Sequence, residues 1–414
     1  MKSKYICLLF GVMVFGCSSN NNSSTANSPL QESDLKLPEH IQGLENVIVI
    51  SPQDFPSDNA SIHLDHIFTE TEDIYFGYAG NIAVDDLDRL YIQIGAEMGQ
   101  VGLLVFNSDG SFEKRLGRYG RGPGEFERIQ EIQIYEDRLF VYENFEVHVF
   151  NLSDLSFSHS FVIRMENLES DSELRGLQPE DNFFALSDSS FLFMFEPNLR
   201  QRVNIGEDFI YYTFLSSDGY IQPNAILKQR DFAFYNQSED GSLPRPLPFA
   251  MPYTPSSLTA ISNEERIFSA WNEDFLIKIY DFSGNYLESI YIPVQAASLP
   301  RESALNLTSN ERRDVLEDAE LPDSWPVIHR MHVDDQNRLW AATITENDST
   351  FKWYVFDKEL NPMGTFILKE SRAERQVWFP QDLIIKNNYL YQIQPNRNRE
   401  PAKIHRYKVE FDEE

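Results

Sequence analysis

From about Leu44 onward, apolar and polar residues alternate over short runs that Asp, Asn, Gly and Ser turns interrupt. Alternation with a period of two is the pattern of a β-strand with one face buried. The chain also contains 31 Phe and 19 Tyr, and aromatic residues favour strands. The pattern therefore predicts an all-β chain built from many short strands.

One pair of strands recurs along the chain. Asn81–Ile94 and His329–Ile344 share the core V-D-D-x-[DN]-R-L-[YW], and Glu131–Glu143 fits the same frame with a shorter turn. Each reads as an inner strand, a tight polar turn and a second strand. Three further segments fit the frame more loosely: Asp181–Phe195, Ser257–Trp271 and Asp382–Ile393. Six such units indicate a repeat fold.

A second hairpin follows in most units, at an aromatic residue that precedes a polar turn. These aromatic pivots are Phe106, Phe150, Phe214, Tyr280 and Phe356. The D-G and S-G turns between alternating strands predict hairpins. Two hairpins per unit make a four-stranded antiparallel blade, which is the unit of a β-propeller.

The last unit is one strand short, because the chain stops soon after a third strand near Ile404–Val409. An unassigned strand, Ser61–Phe68, precedes the first blade, with Asn46–Ser51 as the alternative. Pairing this strand with the last blade would close the ring and remove an exposed sheet edge. We therefore predict a six-bladed β-propeller closed by an N-terminal strand around Ile62–Ile67.

One short helix is expected between the fourth and fifth blades, in the insertion Ser298–Trp325. Thr308 and Glu311 have capping-box spacing, and Val315 and Leu316 give an apolar face. We expect a helix over 309–319, in a position to cover one mouth of the central channel.

The N-terminus reads as a secretory signal. Lys2 and Lys4 precede the apolar run Tyr5–Phe15, which is too short to span a bilayer, and small Gly16 then precedes Cys17. The end of this signal resembles the bacterial lipobox, and the resemblance implies lipidation of Cys17. The alternative is a plain signal peptide with a chance cysteine. The predicted organisation is a signal over 1–17, a polar tether over 18–40 and the propeller over 41–414.

The formal net charge is −30 and the pI is about 4.6. Such a surface repels nucleic acid and anionic lipid headgroups, so we expect no nucleic-acid partner, and membrane contact only through the lipid anchor. No acidic residue directly follows Cys17. Some lipoproteins similar to those of Bacteroidetes carry an acidic surface-export signal there. We therefore expect an outer-membrane lipoprotein that faces the periplasm.

Between the first two blades, Leu116–Ile129 reads LGRYGRGPGEFERI. This run resembles the G-x-x-G-x-G-P-G-E-[FY] segment of NHL-repeat propellers, and in particular the six-bladed propeller lipoproteins common in Bacteroidetes and related phyla. The resemblance implies the same fold. The matching residues are Gly117, Gly120, Gly122, Pro123, Gly124, Glu125 and Phe126.

The glycine-rich run has two interpretations. Its glycines allow unusual backbone angles and Pro123 stiffens the crossover between blades, which is a structural role. Arg118, Arg121 and Arg128 lie close together on an otherwise acidic chain, and Arg binds carboxylate and phosphate well. Pairing with Glu125 and neighbouring acids is the simpler reason. Capture of an anionic group by the arginines is the alternative, and the candidate ligand-binding residues of this run are Arg118, Arg121 and Glu125.

Some six-bladed propellers are lyases or lactonases with a metal ion in the channel. Candidate ligands here are His329, His332, Asp85 and Asp334. His329 and His332 have opposite parity on a strand, so both face the channel only if a bulge intervenes. The two Asp residues begin turns, where Asp binds its own backbone. His329 remains a candidate ligand-binding residue.

We predict no cofactor, with Ca or Zn only if the chain is an enzyme. No thiol remains if Cys17 is acylated, and no nucleophile-elbow, zinc-protease or nucleotide-binding motif occurs. The first hypothesis is a non-enzymatic lipoprotein of the cell envelope that binds a small ligand or an envelope protein, or acts as a scaffold. The alternative is a metal-dependent hydrolase or lyase acting at the central channel.

Overall fold

The computed structural model describes a large part of the chain, and everything below refers to that part. The described residues are 37–56, 60–70, 74–76, 79–95, 101–168, 172–197, 209–232, 251, 253–307, 313, 316–317, 321–370, 383–394 and 402–411.

The first of two units ends at Leu44, and its described residues, 37–44, contain one short helix, α1 (Glu39–Gln42). No helix in the described ranges has both the length and the apolar character needed to cross a membrane. The predicted signal sequence, Cys17 and most of the tether lie outside the described residues.

The second unit, Glu45–Glu414, is a six-bladed β-propeller. Two strands precede the blades: β1 (Val47–Val49) and β2 (Ala60–Thr69). Blade 1 contains β3 (Ala79–Val84), β4 (Leu90–Ile94), β5 (Gly102–Phe106) and β6 (Phe112–Leu116). Blade 2 contains β7 (Glu131–Tyr135), β8 (Arg138–Glu143), β9 (Glu146–Asn151) and β10 (Ser156–Val162). Blade 3 contains β11 (Leu177–Ser187), β12 (Ser190–Pro197), β13 (Phe209–Ser216) and β14 (Leu227–Arg230).

The remaining three blades follow the same plan. Blade 4 contains β15 (Ser257–Ile261), β16 (Arg266–Trp271), β17 (Leu276–Asp281) and β18 (Tyr286–Tyr291). A short helix, α2 (Arg301–Asn306), follows it. Blade 5 contains β19 (Ile328–Val333), β20 (Leu339–Ile344), β21 (Thr350–Phe356) and β22 (Pro362–Lys369). Blade 6 contains β23 (Leu383–Lys386), β24 (Tyr389–Gln394) and β25 (Lys403–Phe411), with β2 as its fourth strand. All six predicted strand pairs are confirmed as the first two strands of a blade.

The ring closes as predicted. β2 pairs antiparallel with β25 over its whole length, and Ile62 lies opposite Val409 while Ile67 lies opposite His405. Phe68 at the end of β2 is 1% exposed and packs edge-on against Phe106 of blade 1. The N-terminal strand therefore completes blade 6 and contributes a core side chain to the next blade.

The alternative closing segment has a different role. β1 pairs parallel with the outer strand β18 and gives blade 4 a fifth strand. Phe55, just beyond it, inserts between blades and lies 5.0 Å from Tyr354 and 5.3 Å from Phe356 of blade 5. We call residues 47–56 the N-terminal strap. It joins blade 4 to blade 5 before β2 closes blade 6.

The repeated V-D-D motif folds for a local reason. Asp85 accepts hydrogen bonds from the amides of Leu87 and Arg89, from Arg89 Nε at 2.7 Å and from the hydroxyl of Tyr91 at 3.0 Å. Burial is the largest cause that raises the pKa of Tyr91, so its phenol stays a donor. The predicted backbone role of Asp85 is confirmed, and the motif adds a buried ion pair to it.

Blade 5 repeats this arrangement with a different aromatic residue. Asp334 accepts from the amides of Gln336 and Arg338, from Arg338 Nε at 2.6 Å and from Trp340 Nε1 at 2.8 Å. The carboxylate of Asp334 is fully buried, and the side chain of Arg338 is 8% exposed. An Asp–Arg–aromatic triad thus fixes the turn between inner and second strands in both blades.

In blade 3 the aromatic residue predicted to precede the turn of the second hairpin, Phe214, is wrong by one residue. The turn after β13 closes with the Ser216 amide donating to the Tyr220 carbonyl, as the Asn107 amide donates to the Ser111 carbonyl in blade 1. This alignment places Leu215, 1% exposed, at the position that Phe106 occupies in blade 1. Phe214 is therefore shifted to the other face of the sheet, because strand side chains alternate.

The insertion after blade 4 contains α2, which the sequence did not predict. Its Ala304 and Leu305 belong to the same buried cluster as Trp340 and Trp353 of blade 5. Of the helix expected over 309–319, only Arg313, Leu316 and Glu317 are described, and the first two are helical. Leu316 joins the same cluster.

Candidate functional site

A cavity of about 730 Å³ lies within the ring of inner strands. All six inner strands line it: β3, β7, β11, β15, β19 and β23. Each of these is the terminal strand of its sheet, so one edge of its backbone has no strand partner. Unpaired edge amides and carbonyls bond to water or a ligand. The propeller axis is therefore a chamber with hydrogen-bonding groups on every side.

The cavity extends beyond the axis between blades 3 and 4. There it reaches Phe214 on the third strand of blade 3, Gln222 beyond that strand, and Phe282 beyond the third strand of blade 4. Within the described residues, β11 runs close to β7 and β15 runs close to β19, whereas β11 and β15 make few close approaches to each other. The widening therefore follows from a gap between two inner strands. We call it the seam cleft, defined by Phe184, Leu186, Phe214, Ile261 and Phe282.

Most charged side chains at one mouth of the cavity already form an ion pair or a hydrogen bond. Lys386 Nζ lies 2.6 Å from Asp86 Oδ1, and the Asn387 amide donates to Asp335 Oδ1 at 3.0 Å. Asp334 is fully occupied by its own turn, as described above. Glu265 also lines the cavity and is exposed at the turn of blade 4. The interior itself is lined by apolar and neutral polar side chains.

His332 lies in the channel wall. Its Nε2 accepts a hydrogen bond at 3.3 Å from the amide of Ile385, on the free edge of the neighbouring inner strand. Burial is the largest cause that lowers the pKa of His332, so the imidazole stays neutral at pH 7. His332 therefore joins blades 5 and 6, and its Nε2 lone pair is already in use.

His329 lies elsewhere. The pairing of β19 shifts register between Ile328 and Arg330. The strand therefore has the kind of bulge without which His329 and His332 could not both face the channel. His329 stacks on the ring of Phe351 at 4.4 Å and is not among the residues that line the cavity. Within the described ranges, no group of three or more His, Cys, Asp or Glu side chains is placed to bind a metal ion. Of the four metal-ligand candidates, His332 and Asp334 both line the cavity, and His329 and Asp85 are not among its lining residues.

In the glycine-rich crossover, two arginines form ion pairs with glutamates. Arg118 Nη2 lies 2.6 Å from Glu125 Oε1, and Arg121 Nε donates to Glu127 Oε1 at 2.8 Å. The other oxygen of Glu125 accepts from the Gly122 amide at 2.9 Å, and this bond is the largest cause that lowers the pKa of Glu125. The two arginine side chains are 79% and 82% exposed. None of these five residues lines the central cavity: Arg118, Arg121, Gly122, Glu125 and Glu127.

A buried acid secures this crossover to blade 2. Glu143 Oε1 accepts from the amides of Glu127 and Arg128 at 2.5 and 2.7 Å, and burial raises the pKa of Glu143. Gly117 has φ of +69°, and a Cβ there would lie 2.2 Å from the ring of Phe126. The glycine is therefore required by the packing of the fully buried Phe126.

We expect Arg121→Ala to leave the propeller folded with only a small change in melting temperature, because its ion pair is exposed. Binding to sugar acids and acidic peptides should likewise be unchanged if the arginine serves only Glu127. Thermal melts and a binding screen on both proteins check this. An anionic ligand that binds the wild type and not Arg121→Ala would instead assign the crossover to ligand capture.

The sequence did not indicate the seam cleft. Phe282 follows Tyr280 in an ordinary turn, and Phe214 was placed at a core position that Leu215 fills. One signal was present: counted back from the D-G turn, Leu215 and not Phe214 matches Phe106. That count would have moved Phe214 to the opposite face of β13.

One comparison with known protein families agrees with this fold. A family model described as a six-bladed beta-propeller, DUF5128, matches residues 44–183. A search of curated proteins found no match. A solved structure of a protein described as exported, from Bacteroides fragilis NCTC 9343, is 14% identical, with 89% of this chain and 100% of that chain covered and a TM-score of 0.47. A member of the duf4221 family from Bacteroides vulgatus ATCC 8482 is 10% identical, with 86% and 100% covered and a TM-score of 0.49.

Proposed function

We propose that this protein is a non-enzymatic binding protein that takes a small ligand in its central channel. The observation that carries the proposal is the cavity of about 730 Å³ enclosed by all six inner strands. Small-molecule sites occupy about 300–1,000 Å³ and combine apolar walls with a few polar groups. The free backbone edges supply such groups, and the rigid ring holds them in place.

The polar chemistry of the chamber supports binding more than catalysis. Asp334 and Lys386 are each engaged in an ion pair, Asp335 and the Nε2 of His332 each accept from a backbone amide, and Glu265 lies exposed at the mouth. A general acid or base needs a titratable group that is free to reach its substrate. The neutral side chain of Asn182 also lines the chamber, and Gln133 and Thr259 line it while they donate to Glu131 and Gln229.

The proposal predicts that purified protein retains small molecules inside the ring. Ser190 lines the cavity at the turn between β11 and β12, so Ser190→Trp should obstruct the chamber while disturbing little of the core. Incubation with a small-molecule extract, desalting, denaturation and mass spectrometry should recover a compound at about one per chain from the wild type. Recovery from Ser190→Trp should fall at least about tenfold.

Ser160→Trp is the matched control, because Ser160 is exposed on the outer strand β10. It should recover the compound as the wild type does. Equal recovery from all three proteins, or from none, would contradict channel binding. Metal analysis of the same samples addresses the alternative: about one Ca or Zn per chain would favour the metal-dependent hydrolase or lyase.

The cell envelope is the proposed location. A basic start, a short apolar run and Gly16–Cys17 at its end support export and lipidation, and the polar stretch after Cys17 supports a tether. The outer membrane, with the propeller facing the periplasm, fits a ligand-binding lipoprotein with no acidic residue directly after its lipidated cysteine. The Gly117–Phe126 crossover supports placing the propeller among the NHL-repeat type.

Cys17→Ser should release the protein from the membrane fraction, because the acyl chains that hold it would be absent. Cys7→Ser is the matched control, since Cys7 lies inside the apolar run and would be removed with the signal. Fractionation followed by immunoblotting reads out both variants. A Cys17→Ser protein that stays in the membrane fraction would rule out the lipid anchor.

A further inference from the structure

We infer that the seam cleft is a subsite for a flat apolar ring of an uncharged ligand. This inference rests on the proposed function, because the cleft opens from the same chamber. It adds the chemical class of the ligand and the side chains that select it.

The walls of the cleft are aromatic and aliphatic. The rings of Phe214 and Phe282 contact each other edge to face across the seam, with centroids 5.8 Å apart and an interplanar angle of 64°. Phe184, Leu186 and Ile261 belong to the same partly buried group. All five line the cavity. Edge-to-face contact with a further ring is the geometry that such walls favour.

Among the described residues, the seam between blades 3 and 4 has the smallest buried hydrophobic cluster. Each seam between blades contains one buried hydrophobic cluster, and five of these clusters have 14 or more buried side chains among the described residues. The cluster between blades 3 and 4 has five buried side chains: Leu192, Ile210, Tyr212, Leu227 and Ile267. Eight further hydrophobic side chains there are only partly buried. Apolar surface that the fold leaves uncovered is available to a ligand.

The outer side of the seam is closed by a close backbone approach. A Cβ on Gly284 would lie 2.1 Å from the carbonyl oxygen of Ile226, so the turn of blade 4 rests directly on the loop of blade 3. Gly284 has φ of +79°, which glycine adopts without strain. A ring entering from the channel therefore meets a wall and not an exit at this point.

The charge of the surroundings selects against anions. No charged residue belongs to the cleft, and Gln222 at its entrance is neutral. Lys386, a cation of the cavity wall, is paired with Asp86, and the whole chain carries a formal charge of −30. An anionic group brought into this chamber would meet a negative potential and no unpaired cation among the described wall residues. An uncharged ring is not repelled by the negative potential and needs no cation as a partner.

The test uses two dyes that share their rings and differ in charge. N-phenyl-1-naphthylamine is uncharged, and 1-anilinonaphthalene-8-sulfonate is anionic. In fluorescence titrations of the full-length protein, the neutral dye should saturate at about one per chain. Phe214→Ala and Phe282→Ala should each weaken its binding about tenfold or more, the loss expected from one buried ring contact. The anionic dye should bind the wild type at least about tenfold more weakly than the neutral dye.

Phe145→Ala is the matched control: Phe145 is 42% exposed in the turn between β8 and β9, away from the cavity. It should bind the neutral dye as the wild type does, and melts of all variants separate lost binding from lost folding. The inference is overturned if the neutral dye does not bind, or binds equally well to both Phe variants. A compound captured by the wild type and not by Ser190→Trp would, in that case, leave channel binding intact and remove only the ring subsite.

Discussion

A chain that begins after Phe68 is expected to lose cooperative folding altogether. The deletion removes nearly all of β2 and exposes an edge of β25 that nine residues of the closing strand now cover. It also removes the buried side chain of Ile50 and two core aromatic side chains, Phe55 at 4% and Phe68 at 1% exposure. Each large-to-small loss of a core aromatic costs about 3–5 kcal/mol, and a whole domain is stable by only about 5–15 kcal/mol.

Deletion of residues 1–44 is the matched control, because it keeps the strap and β2. That shorter deletion should melt in one transition near the wild-type temperature, whereas the longer one should aggregate or melt without a transition. Calorimetry and near-ultraviolet circular dichroism report both. A cooperative melt of the longer deletion at the wild-type temperature would show that the ring does not depend on its closing strand.

Asp334→Ala should destabilise the propeller by about 3–5 kcal/mol, the usual cost of removing one partner of a buried ion pair. The change leaves Arg338 buried beside Trp340 without its carboxylate, and it removes the acceptor of four hydrogen bonds. Denaturation in guanidinium chloride measures the loss. Asp334→Asn should retain part of the stability, because its amide oxygen can still accept from the turn.

The repeated motif supplies both a replicate and a control for this prediction. Asp85→Ala breaks the same triad in blade 1 and should cost a similar amount. Asp335→Ala changes an exposed carboxylate next to Asp334 that accepts one backbone amide, so its effect should be much smaller. Equal, small effects of all three substitutions would contradict the structural role assigned to the triad.

The blades were predictable because their signals are local. A period of two, a polar turn and a recurring V-D-D motif each lie within about fifteen residues, and together they located the first two strands of all six blades. The incomplete last unit then required a strand from elsewhere. Ser61–Phe68 met that requirement, because its length and alternation match an outer strand.

What the sequence could not predict depends on contacts between distant segments. Parallel pairing of β1 with β18 joins residues that are about 240 positions apart, and no turn between them marks the partner. The seam cleft depends on how far β11 stands from β15, which is a property of the ring. A one-residue shift at Leu215 was enough to move Phe214 from a core position to the cavity wall. Strand patterns fix the faces of a sheet only when the register is known.

Hydrogen–deuterium exchange tests channel binding most directly. The edge amides of the inner strands have no strand partner, so they should exchange quickly in the free protein. Saturation with the compound recovered in the capture experiment should slow exchange in peptides from β11, β15 and at least one other inner strand. Peptides from the outer strands β6 and β10 should exchange as before. Protection confined to outer strands, or no protection at all, would contradict a ligand in the central channel.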